Sequence, residues 1–154
     1  MYRSLRHLTC SQFDIRHLPI YHVANGEEIM NPFAQPLIAY RQIAAGLPAR
    51  LAREAEGQGL TRDDIRMIIP DRTLDRRIAD NAPLKLDEAD GIARLLRVAA
   101  MARRVFGDNA LADEWLRSAN PALDNEVPIH MARSDLGGRE VEAVLGRIEH
   151  GVFG

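Results

Sequence analysis

The chain has one cysteine, Cys10, in 154 residues, so no internal disulfide can form, and a lone thiol suits a reducing compartment. His7, His17 and His22 show no close metal-ligand spacing and Cys10 has no CxxC partner, so no zinc site is expected. No apolar run approaches a signal-peptide core or a membrane span, which points to a cytoplasmic protein. A glycine-rich phosphate loop, a Ser/His/Asp arrangement and paired carboxylates with a plausible cleft are all missing, so neither catalysis nor a cofactor is expected. Lysine is nearly absent: nineteen of the twenty basic residues are arginine. The net charge is −2, made of +2 over residues 1–86 and −4 over residues 87–154. So weak a balance does not indicate a broad electrostatic grip on nucleic acid.

Helical periodicity dominates what remains, with no convincing alternating strand, and the expected class is all-α. Leu95, Ala99, Ala102 and Phe106 share one helical face, Gly107 breaks the helix, and Asp108 is a natural N-cap for the next. Leu111, Ala112, Trp115 and Leu116 form its apolar stripe, with Trp115 as a core anchor, and Asn120-Pro121 ends it. Helices are expected near 36–45, 48–57, 61–68, 72–80, 87–106, 109–118 and 138–149. Asp87 can cap the fifth of these. Residues 1–35 read as a partly ordered or flexible arm, in which Asn25-Gly26 and Asn31-Pro32 are turn signals.

Between 36 and 86, short helices are joined by tight turns. Thr61 with Asp64 three positions later has the form of a capping box. Thr61 to Asp80 has the length of a helix-turn-helix pair. With Leu74 and Ile78 turned inward, Arg72, Thr73 and Arg76 face outward near the start of the second helix, where base edges and phosphates are met, and Arg77 and Lys85 flank them as phosphate contacts. The plainer reading is a solvated face partly neutralised by Asp71, Asp75 and Asp80.

After the Asn120-Pro121 stop, residues 122–127 read as an ordered turn, and Pro128 starts a short turn of helix through Met131. Ser134 or Asp135 introduces a last helix with Val141, Val144, Leu145 and Ile148 on one face. Gly151 ends it, leaving Val152-Phe153-Gly154 either to fold back on the core or to enter a partner.

Thr73-Leu74-Asp75-Arg76-Arg77, Ala102, Val105-Phe106-Gly107-Asp108, Ala112, Trp115-Leu116, Asn120-Pro121, Leu123, Pro128, Val141, Leu145, Ile148 and Gly151 occur in the order of the Xre/MbcA/ParS antitoxin family, which residues 36–154 resemble. Two departures stand out: Asp124-Asn125-Glu126 occupies a turn that usually contains glycine in the family, and His150 stands where an aromatic residue is common. The resemblance implies an N-terminal Xre-like helix-turn-helix unit (36–86) for DNA binding and dimerisation, followed by a helical toxin-binding domain (87–154). It further implies a RES-domain, NAD-degrading toxin as partner, obstructed by Arg147, His150, Gly151, Val152, Phe153 and Gly154, and a homodimer that represses its own operon at operator DNA. The chain itself would bind no NAD and catalyse nothing. The alternatives are a stand-alone transcription regulator and a protein-binding adaptor with a degenerate helix-turn-helix.

Overall fold

The computed structural model describes residues 21–24, 27–30 and 46–151, the first two segments by backbone only. These two are short antiparallel strands, β1 (Tyr21–Ala24) and β2 (Glu27–Met30), with Tyr21 opposite Met30 and Ala24 opposite Glu27. Four-residue strands are too short to show alternation in sequence, and both lie within the segment expected as an arm. The helix expected at 36–45 lies outside the described residues, as do Cys10, His7 and His17.

From Gly46 onward the chain is helical: α1 (Arg50–Glu54) continuing into a 3-10 turn (Ala55–Gln58), α2 (Arg62–Arg66), α3 (Asp71–Ala79), α4 (Leu86–Phe106), α5 (Asn109–Arg117), a 3-10 turn (Pro121–Leu123), α6 (Pro128–Met131) and α7 (Asp135–Glu149). The boundaries follow from end chemistry. Thr61 accepts from the Asp64 N–H while the Asp64 carboxylate accepts from the Thr61 N–H, a complete capping box for α2. Asp108 accepts from the Leu111 N–H and Ser134 Oγ from the Gly137 N–H, which starts α5 and α7. Gly107, in the left-handed region, closes α4. Asp87 does not cap α4: the helix begins one residue earlier, and the buried Glu88 carboxylate takes the Lys85 N–H at 2.9 Å instead.

α4 is the central element, packed against both α5 and α7. Leu95, Val98, Ala99 and Ala102 are fully buried on it. Each large apolar side chain so buried contributes about 1.5–3 kcal/mol. α4 and α7 run parallel, because Arg97 pairs with Glu142 and Arg104 with Glu149, both 45 residues apart. The last turn of α7 therefore lies beside the last turn of α4. One continuous apolar core extends from Ala49 to Leu145 and crosses the expected domain boundary near residue 86.

Arginine fixes the seams of this core. Buried Arg94 donates through Nε to the Ala132 carbonyl and through Nη2 to the Arg133 carbonyl, which satisfies the end of α6, while Nη1 meets Asp90. The start of α7 fits into this corner only with glycine. A Cβ on Gly137 would run into the Met131 carbonyl, and one on Gly138 would stand 2.9 Å from Arg94 Cδ.

Candidate partner-binding surfaces

The first candidate surface is on α3. The helix carries three arginines and two acids, and both acids are occupied. Arg53 donates to Asp75 at 2.5 Å and lies 3.6 Å from Asp71, and Arg62 donates to Asp71 at 3.2 Å. The hydrogen bond to Asp75, then that to Glu56, holds the Arg53 guanidinium firmly protonated, above its ordinary value. Arg72 and Arg76 are exposed one turn apart and have no ion-pair partner among the described residues, and Thr73 is half-buried beside them. Lys85 is exposed at the foot of α4.

Arg77 is placed differently from the expectation. Its side chain is 12% exposed and bound to Glu88, itself 11% exposed, so it ties α3 to α4 instead of facing solvent. Leu74 is fully buried, and Ile78 is half-buried against the core, as the inward face requires.

A second cluster joins the α2–α3 region to the later helices. Asp64, 4% exposed, accepts from Arg117 at 2.6 Å as well as from its own cap. Arg117 also reaches the Gly59 carbonyl, and Arg103 donates to the Gln58 carbonyl at 3.1 Å. Gly59 has φ +109°, so its backbone conformation favours glycine, and a Cβ there would push the Arg103 guanidinium, 2.5 Å away, off its place. These arginines carry no local motif; the only signal was a cation three or four positions from apolar residues on an inward-turning face.

The third surface is the far end of α4, α5 and α7. Trp115 is half-buried and not a fully enclosed anchor; its ring lies 5.7 Å from that of Phe106. Leu111, read as part of the buried stripe, is 55% exposed. Arg147 and His150 are exposed, and Arg147 has no ion-pair partner among the described residues. Gly151 is exposed with φ +66° and turns the chain out of α7. Val152, Phe153 and Gly154 lie outside the described residues.

The turn before Pro128 resolves one of the two departures seen in the sequence. Asp124 has φ +54° and Asn125 φ +62°, so two residues tolerant of the left-handed region take the conformations that glycine would otherwise supply.

Residues 101–151 match the family model for the antitoxin Xre/MbcA/ParS C-terminal toxin-binding domain. Curated relatives agree with it: an antitoxin Xre of Pseudomonas putida is 37% identical over 84 residues, covering 54% of this chain and 53% of that protein. Antitoxins Xre of Yersinia enterocolitica (35% over 86 residues; 55% of this chain, 58% of that protein) and Photorhabdus laumondii (33% over 82 residues; 53% and 55%) are similar to it too.

Over its C-terminal third the chain is similar to the Xre/MbcA/ParS antitoxins.

Each match spans about half the length of the curated relative. The matched region begins inside α4 and contains α5, α6 and α7 whole. It therefore includes Arg103 and Arg117, which grip the earlier helices, and the third surface in full. Among the described residues no helix is long and apolar enough to cross a membrane, and no group of three or more His, Cys, Asp or Glu is placed to hold a metal.

Proposed function

We propose that this chain is the antitoxin of a type II toxin–antitoxin pair, binding a RES-domain, NAD-degrading toxin through its C-terminal domain and repressing its own operon through α2 and α3. The observation that carries the reading is the match of residues 101–151 to a toxin-binding domain whose last helix ends with exposed Arg147 and His150. On this reading Gly151 directs Val152, Phe153 and Gly154 into the toxin's active site. Burying the two apolar side chains there would contribute about 1.5–3 kcal/mol each. The protein would be a cytoplasmic, non-catalytic inhibitor.

The DNA half of the proposal is supported by the occupancy of the charges on α3. With Asp71 and Asp75 neutralised by Arg53 and Arg62, Arg72 and Arg76 present positive charge near the start of a helix, where bases and phosphates are reached. Two such cations per chain give weak binding alone, so the operator-bound form is a homodimer on a repeated half-site. Lys85 and Thr73 are secondary contacts, and Arg77 serves structure.

Two experiments test the two halves. Co-expression with a tagged RES-domain toxin from the same operon should yield a complex that survives gel filtration; separate elution would refute toxin binding. In gel shifts with the operon's upstream DNA, the R72A/R76A double variant should bind at least tenfold more weakly, with a shallower salt dependence. Unchanged affinity would remove α3 from the DNA interface.

A further inference from the structure

The end of the molecule from which the tail departs also carries a half-exposed apolar surface. Helical geometry places it. On α5, Ala112 and Leu116 face the core and Asp113 and Arg117 lie on the flank that meets Arg103 and Asp64, so Leu111 and Trp115 occupy the opposite flank. On α7, Glu142 and Glu149 lie on the flank paired to α4, while Arg147 lies on the other. Phe106, at the end of α4, is in ring contact with Trp115. Ile148, Phe106 and Trp115 all pack on the core while remaining partly open to solvent. Leu111 stands 55% exposed at the edge.

We infer that this face, formed by Phe106, Leu111, Trp115, Ile148 and Arg147, is a second toxin contact, taking an apolar segment of the toxin that carries an acidic side chain for Arg147. The inference rests on the toxin-binding reading and says where the toxin sits. Continuity with the tail argues for the toxin as occupant, because the parallel packing of α4 and α7 brings Gly151 to the same end as Phe106. All five residues also fall within the region matched to the toxin-binding domain. The exposed Leu136, 73% open, starts α7 and so lies a helix length away, about 20 Å at 1.5 Å per residue. It lines a separate cleft with Met67, His130 and Arg133, and belongs to no surface continuous with the tail.

This separation supplies the control. Leu111→Glu and Arg147→Glu alter exposed side chains at the tail end, and Leu136→Glu alters an exposed one at the other. Affinity for a purified, active-site-silenced RES-domain toxin is measured by calorimetry, with circular dichroism to verify folding. L111E and R147E should each weaken binding at least tenfold, and L136E by less than twofold. The single tryptophan gives a second readout: with 5-fluorotryptophan incorporated, the one resonance of Trp115 should shift on adding toxin. Wild-type affinity in both L111E and R147E, or an unmoved Trp115 resonance in a formed complex, overturns this surface while leaving toxin binding intact. A wild-type chain that fails to bind overturns the toxin-binding reading and this surface with it.

Discussion

Replacing Arg117 by methionine should cost this protein a large part of its stability, through Asp64. That carboxylate is only 5% exposed, and the guanidinium 2.6 Å away is its only charged partner among the described residues. Removing one member of a buried pair costs about 3–5 kcal/mol, because the other charge stays buried. Two features reduce the figure here. Arg117 itself is 29% exposed, and Asp64 keeps the Thr61 N–H at 2.7 Å. Arg117 Nε is also buried without an acceptor, a penalty the methionine removes. The net expectation is a loss of about 2–3 kcal/mol. For a chain of this length that corresponds to a fall in Tm of about 5–10 °C. Urea denaturation of R117M, D64N and the double variant gives the coupling directly. The double variant should lose less than the two single losses combined, by about 1–2 kcal/mol. If R117M stays within about 0.5 kcal/mol of wild type, the typical range for an ordinary surface change, then the link between the early and late helices is ornamental and the reasoning fails.

Other substitutions probe separate parts of the fold. Gly137→Ala forces a methyl against the Met131 carbonyl and should destabilise by about 3 kcal/mol, read by thermal denaturation; a neutral result would mean the α6–α7 corner is looser than described. Arg77→Met leaves Glu88 buried without its cation and should cost about 3 kcal/mol, whereas R72A/R76A should change stability by less than about 0.5 kcal/mol. Equal stability losses would contradict the division of α3 into a structural and a presented set. Thr61→Ala removes the α2 cap and should cost about 1 kcal/mol in the same denaturation assay.

Most of the helical body was legible because its ends are marked by local chemistry. Thr61 with Asp64, Asp108, Ser134, Gly107 and the prolines at 121 and 128 each act within a few residues, so sequence alone locates them. What escaped depends on distant partners. Nothing near Arg77 in the sequence says that Glu88 will claim it, and nothing near Arg117 points to Asp64, 53 residues away. The same holds for Leu111, whose place in the apolar stripe implied burial. The stripe on α5 is narrower than its hydrophobicity suggests, because Ala112 and Leu116 alone complete the contact with α4 and leave Leu111 on the rim. Asp124 and Asn125 show the reverse case: the turn lacks glycine in sequence, yet the side chains present can adopt its conformation.

The proposal that the C-terminal end of this chain silences a toxin is tested most directly by NAD consumption by a purified RES-domain toxin. The assay compares added full-length protein with a variant ending at His150, each verified as folded by circular dichroism. The full-length chain should abolish NAD loss at equimolar ratio, and the shortened chain should leave most of it at the same ratio. Equal inhibition by a folded, shortened chain would contradict the claim that the residues after α7 block the toxin.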